Sequence, residues 1–283
     1  MSGLSNSAIK GRAFGDHVIL ALTIVLSLVM VLPAVWVIAL SFKDNGELMA
    51  NPNSVLHAPY VIENYVNIVT TSSVFRWVLN SLIVSISLTF GTLILSSLAG
   101  YGFARLNFPG RNVLFVIVLF GLAVPEQAVL VARHQIFSVL KFHNTYQGLI
   151  LPGLSNAFGV FLMTQYFRAI PRELDEAALL DNASRLKIFW KVLLPLTVPA
   201  QATLGIFTFL GSWNDYFWPL ISATKKEMYT LTVGMASTQT NFAQSEGIGF
   251  LMAQAVFAGA PILIVYLFFQ KYIVTAVSGA AVR

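Results

Sequence analysis

The feature that most limits this sequence is the length of its apolar runs. From Val18 to Ser41 there is no charged residue, and a run of that length crosses a hydrocarbon core of about 30 Å as an α-helix. Backbone N–H and C=O groups in lipid find no water, so the run must satisfy them within itself. Further runs lie at about 77–99, 112–132, 147–167, 198–221 and 248–270. The expected fold is therefore all-α: a polytopic membrane protein of six transmembrane helices in a single transmembrane domain over residues 1–283. Charged residues make up 10% of the chain, against about 25% in soluble domains. The first run is longer than a signal-peptide core and ends in no convincing cleavage pattern, so it is read as an uncleaved span that Pro33 kinks. The segment 42–76, with Pro52 and Pro59, is expected to be largely irregular, with a short surface helix near Asn64 and Tyr65.

One long stretch between the runs is polar and helix-forming, IPRELDEAALLDNASRLKIFWKVLLPLTVP from Ile170 to Pro199. Pro171 suits a first helical turn, and Glu173, Asp175 and Glu176 suit the positive end of the helix dipole. Asn182 tolerates the left-handed conformation that ends a helix. Ser184 suits the cap of a second helix, which Pro195 disrupts or ends. The insert is read as helix, turn, helix, lying in water and offering small alanines to a partner.

Those residues resemble the EAA loop of bacterial ABC-importer permeases. The family pattern is Glu-Ala-Ala, three residues, Gly, nine residues, then Ile-x-Leu-Pro. Here Glu176-Ala177-Ala178 precedes Asn182 at that spacing, and Val192-Leu193-Leu194-Pro195 closes it. Asn182 stands for Gly and Val192 for Ile, each keeping the physical role. Gly100-Tyr101-Gly102-Phe103-Ala104-Arg105 with Phe108-Pro109-Gly110-Arg111, Asn144-Thr145-Tyr146 through Pro152, and Phe207 through Leu220 look like segments of the carbohydrate-uptake branch, maltose-permease G type. The first of these is expected to form a short turn with two arginines. The resemblance implies an importer permease for a sugar or sugar derivative. It implies a second permease subunit in a heterodimer, two ATPase subunits that bind ATP and Mg, and a periplasmic or extracytoplasmic solute-binding protein. It implies that the loop 170–197 is cytoplasmic and that Glu176, Ala177, Ala178, Asp181, Asn182 and Pro195 couple to the ATPase. It also implies a bacterial inner-membrane location.

The remaining features fit that reading. With both termini inside, inner segments hold eleven Lys and Arg (Lys10, Arg12, Arg105, Arg111, Arg168, Arg172, Arg185, Lys187, Lys191, Lys271, Arg283) and outer loops six (Lys43, Arg76, Arg133, Lys141, Lys225, Lys226), a bias that favours cytoplasmic termini. The net charge of +5 reflects this bias, and the absence of a basic-aromatic patch argues against nucleic acid. No lysine precedes Ser or Thr, so the chain lacks a P-loop end. There is no cysteine, metalloenzyme motif or nucleophile elbow, so the chain is expected to be no enzyme and to hold no cofactor or metal itself. Two acidic residues fall in the runs, Glu126 and Asp215, and such charges commonly mark a transport pathway. With Gln127, Asn156, Trp213 and Asn214 they are candidates to line a substrate pathway. Ser237, Thr238, Gln239, Thr240 and Asn241 are candidates to contact the binding protein. The competing readings are a proton-coupled secondary transporter using Glu126 or Asp215, and an ABC permease for a non-sugar solute.

Overall fold

A computed structural model describes residues 3–51, 55–70, 73–239 and 247–281, which form helices joined by turns, with no strand among them. Two compact units are distinguishable, residues 1–71 with 239–257, and residues 72–238 with 258–283.

In the first unit, helix α1 (Gly3–Ser41) runs unbroken through Pro33. Its side chains from Asp16 to Trp36 are all exposed. A helix apolar all round and uncovered by its own chain belongs in lipid or against another chain. The segment after it is more ordered than its prolines suggest. Helices α2 (Asn45–Ala50) and α3 (Glu63–Thr70) form within it, and the Asp44 carboxylate caps α2 by accepting from Glu47 N at 3.2 Å. What organises the segment is Lys43, fully buried. Its ammonium donates to Glu47 Oε1 and Pro59 O, each at 3.0 Å, and to His57 O. Asn64 Nδ2 donates to Ser41 O and Lys43 O at 3.0 Å. Buried charge persists only when paired and hydrogen-bonded, and here three partners meet that need. Ile248 N donates to Asn45 Oδ1 at 3.2 Å, where Gly247 turns at φ 75°.

The second unit is built on α4 (Val74–Arg105), 32 residues and about 48 Å long at 1.5 Å per residue. After it come α5 (Arg111–Phe120), α6 (Leu130–Val139), α7 (Tyr146–Ile150) and α8 (Ala157–Ala169). Then follow α9 (Glu173–Leu180), α10 (Arg185–Ile188), α11 (Leu194–Leu196), α12 (Val198–Asn214), α13 (Phe217–Ser222) and α14 (Leu231–Gln239). The last helix is α15 (Gly247–Ala281), whose residues from 258 belong to this unit. Helix α4 packs along α8 and α12. The buried side chains of α4 include small hydroxyls, Ser85, Thr92, Ser96 and Ser97, and small residues let helices in a membrane approach closely.

Several expected boundaries move. The expected turn from Gly100 is helix as far as Arg105, and only residues 106–110 turn. Gly100 is there for packing: a Cβ on it would stand 2.7 Å from Met163 Cβ and 2.9 Å from the α8 backbone. The expected third run, 112–132, is not one helix. Helix α5 stops at Phe120, and a 3₁₀ turn, Glu126–Val129, follows Pro125. Ten residues reach about 15 Å, too short to cross alone. The expected fourth run bends by 45° between residues 146–154 and 157–169. The expected fifth is α12, joined through a 78° bend to Arg185–Leu196. It breaks at Asp215 before α13. Among the described residues, three helices are long and apolar enough to cross a membrane, or five if each bent pair crosses once.

Candidate functional site

The insert folds against the end of α4. Helix α9 starts at Glu173, so Pro171 lies in the joint before it and not in its first turn. Asp175 N and Glu176 N bond to Arg172 O at 2.9 and 3.1 Å. Helix α9 ends at Leu180, and the turn after it sets Asn182 at φ 56°. Asn182 N bonds to Leu179 O and Ala183 N to Ala178 O, both at 3.0 Å, the paired bonds of a Schellman turn. Ala178 and Ala183 pack on the core cluster around Tyr101, Phe167 and Phe189. The Ser184 hydroxyl then accepts from Lys187 N at 3.3 Å and caps α10.

This turn divides the insert into two faces. Outward face Glu176, Ala177, Asp181 and Asn182, with Leu180 84% exposed and Leu186 65%. Inward face Asp175 and Ala178, so one of the two alanines expected on the open surface is turned into the core. Pro195 does not end the second helix. A π turn at Phe189–Leu193, with Leu194 N bonded to Phe189 O, carries the chain on to Leu196. The wider turn closes its bond five residues back just ahead of the proline, which lacks an N–H. The break falls at Thr197, whose hydroxyl donates to Leu194 O at 2.8 Å.

Two residues that sequence reasoning counted only as charges prove central. Arg105 and Asp175 meet in the interior, Nε to Oδ2 3.5 Å, with side chains 3% and 10% exposed. Arg105 Nη2 also donates to Ile170 O at 2.6 Å. Asp175 and Ala178, one turn apart, share a face, but with the alanines expected outward this spacing did not signal a buried Asp175.

A second polar feature lies elsewhere in the unit. A cavity of about 300 Å³ is lined by Glu126, Arg133, Asn156, Thr208, Ser212 and Asp215, among others. It brings together three of the six pathway candidates and adds Arg133, assigned by sequence to an outer loop. Arg133 Nη1 pairs with Glu126 Oε1 at 2.9 Å, and its guanidinium lies 5.2 Å from the Trp218 ring centre. Trp218 is held by its Nε1 donating to Gly148 O at 2.9 Å. Neither acid sits on a helical face. Glu126 opens the 3₁₀ turn after Pro125, and Asp215 fills the break after α12, facing the N–H groups of Phe217 and Trp218. Asn156 Oδ1 accepts from Gly159 N at 2.7 Å and so caps α8.

The other three candidates do not line this cavity. Trp213 is buried, stacks on Phe209 at 5.8 Å and donates from Nε1 to Ala258 O at 3.2 Å. Its indole face is occupied by protein. Asn214 Nδ2 is spent on Leu210 O at 2.9 Å, and Gln127 is exposed. Ser237, Thr238 and Gln239 close α14, while Thr240 and Asn241 lie outside the described residues. The segment leading into α14 is fixed to the other end of α4. Trp77 Nε1 donates to Lys226 O at 3.0 Å, and Asn80 Nδ2 to Glu227 O and Tyr229 O at 2.9 Å. Tyr146 Oη completes the junction, donating to Asn80 Oδ1 at 2.8 Å.

A family model described as binding-protein-dependent transport system inner membrane component matches residues 92–279. The chain is 35% identical over 265 residues to the diacetylchitobiose uptake system permease protein NgcG of Streptomyces coelicolor, covering 93% of this chain and 87% of that one. It is 33% identical over 261 residues to the arabinooligosaccharides transport system permease protein AraQ of Halalkalibacterium halodurans, covering 91% and 93%. Its fold is like that of a chain in the crystal structure of a bacterial ABC transporter involved in the import of the acidic polysaccharide alginate. That match has a TM-score of 0.80 at 24% identity and covers 93% of this chain and 97% of the other.

Proposed function

The chain belongs to the family of binding-protein-dependent transport system inner membrane components, and from that premise we propose that its insert couples a separate ATPase to the movement of a sugar. It is an integral inner-membrane permease and not an enzyme. ATP and Mg are bound by two partner ATPase subunits, and a second permease subunit completes the pathway. The observation that carries the reading is the two-faced insert. A Schellman turn at Asn182 holds α9 with Glu176, Asp181 and two leucines outward, while Asp175 and Ala178 are held within. An apolar and acidic surface outside the lipid suits a soluble partner's groove better than water. Both termini and the insert are cytoplasmic, on the Lys and Arg bias.

For the cargo we favour a neutral saccharide. The relatives named for arabinooligosaccharides and diacetylchitobiose support the sugar class. The cavity supports neutrality, since it sets two carboxyl groups and one guanidinium beside a hydroxyl-lined wall. Carboxylates accept from sugar hydroxyls and oppose anions. Glu126, Arg133, Asn156 and Asp215 line this part of the pathway. The segment Ser237 to Asn241 contacts the binding protein. The spans rock between two access states as the ATPase subunits close and hydrolyse ATP.

Purification from native membrane with mass spectrometry of the bound chains tests the assembly, with recovery of an ATPase and a second permease expected. A lone, ATPase-free oligomer would support a secondary transporter instead. Glu176→Lys should assemble yet hydrolyse ATP without uptake, and normal uptake by that variant would refute coupling through Glu176. Removing residues 238–244 should impair uptake with assembly intact; wild-type uptake would refute the contact role.

A further inference from the structure

We infer that Arg105 is a positioning residue that clamps the insert to α4 across the joint between α8 and α9, so that α9 and the end of α4 move as one body. The inference deepens the coupling reading and rests on it for its functional consequence. Helix α8 ends at Ala169 and α9 starts at Glu173, with Ile170, Pro171 and Arg172 between. Three residues outside both helices form a natural pivot. Arg105 spans it: Nη2 holds Ile170 O on one side at 2.6 Å, and Nε faces Asp175 on the other at 3.5 Å. A planar guanidinium fixes the directions of its separate Nε and Nη donors, whereas a lysine presents rotatable donors from one nitrogen on a flexible stem, so lysine here would hold the two partners less rigidly.

The same face of α4 holds the other half of the insert. Tyr101, four residues before Arg105 and so on one helical side with it, donates from its hydroxyl to Arg185 O at 3.3 Å. Its ring packs on Phe167 and Phe189 with centres 5.9 and 5.2 Å apart. One turn of α4 thus grips α9, α10 and the end of α8. Gly100 lets α4 lie against the α8 backbone at that level. The far end of α4 is bonded to residues 226–231 through Trp77, Asn80 and Ser81. A displacement of the insert therefore has a continuous bonded route along α4, where a free pivot would dissipate it. The pair also has slack. Neither Asp175 oxygen makes a hydrogen bond among the described residues, so a small approach would convert the ion pair into a directed one.

The test uses the importer assembled with its co-purifying partners. This chain has no cysteine, so within it spin labels go only where cysteines are introduced, at Leu180 on α9 and Asn107 beyond α4, and it is labelled with partner subunits whose own cysteines have been replaced. Pulsed dipolar spectroscopy reads their separation with and without ATP and Mg. The variant is the pair Arg105→Gln with Asp175→Asn, which leaves no buried charge unpaired. Arg105→Lys is the conservative partner. The wild type should give one narrow distribution in both states. The double variant should assemble but broaden it at least twofold. Its ATPase stimulation by the binding protein should fall about fivefold, with Arg105→Lys between. A double variant with a distribution as narrow as wild type overturns the clamp. A broadened distribution with stimulation within twofold of wild type overturns its role in coupling. Failure of assembly in the double variant, with Arg105→Lys normal in both readouts, makes the pair structural and also overturns the inference. Glu176→Lys is the control: if it stays coupled, the coupling reading fails while the label distances still decide the clamp.

Discussion

Replacing Asn182 isolates the turn that divides the insert. Two backbone bonds of 3.0 Å close it, each worth about 1 kcal/mol net, so about 2 kcal/mol favours the closed form. Asn182 stands at φ 56°, where most L-residues lose about 1–2 kcal/mol and asparagine less. Alanine should give up about 1 kcal/mol relative to asparagine, and the stiffer valine about 2 kcal/mol. A loss of 1 kcal/mol is about fivefold in the opening equilibrium and 2 kcal/mol about thirtyfold. Exchange of the amide hydrogens at residues 182 and 183, read by mass spectrometry in lipid nanodiscs, should accelerate about fivefold in Asn182→Ala and about fifteenfold in Asn182→Val, where the gain saturates because the open and closed populations become near-equal. It should be unchanged or slower in Asn182→Gly, since glycine takes this conformation freely. At near-equal open and closed populations, the valine variant should bind the ATPase about twofold more weakly. Equal exchange in all three variants would refute the claim that left-handed geometry holds the insert closed.

Two more outcomes follow from the packing. Gly100→Ala should lower the thermal midpoint of the detergent-solubilised chain, with a cost of about 1–3 kcal/mol for forcing α4 off α8. Gly102→Ala has open space within 4 Å and should be neutral or slightly stabilising; equal effects would refute the close approach as the reason for Gly100. Trp213→Phe should keep sugar uptake and lose about 1 kcal/mol of stability with the bond to Ala258 O, whereas abolished uptake at normal assembly would return the indole to the pathway.

Much of this was legible in the sequence, and the failures have physical causes. Apolar run length identifies helices, because lipid leaves the backbone no alternative, but it cannot see a break whose bonds are met by local turns, as those from Gly121 N to Val118 O and from Ala128 N to Pro125 O are here. That is why 112–132 reads as a span yet holds a turn at Pro125. The insert was readable because its signals are local: Asn182 and Ser184 act on their own backbone. Arg105 and Asp175 lie 70 residues apart, and nothing within either neighbourhood announces the partner. Glycine misled at Gly100, since a turn and a close helix contact call for the same missing side chain. The pathway candidates split for a related reason. Asp215 and Glu126 line the cavity because the helices break there, whereas Trp213, at the end of an intact helix, finds its partner inside the protein.

The bond from Ile248 N to Asn45 Oδ1 joins residues 203 apart in sequence, which sets a timetable for making the protein. At synthesis rates of about 5–20 residues per second, Asn45 waits about 10–40 seconds for its partner. Through that interval the pocket around Lys43 lacks the chain that closes beside it at Gly249. Ribosome pausing within the last span should prolong the exposure, and a membrane protease that samples nascent chains would find its opening there.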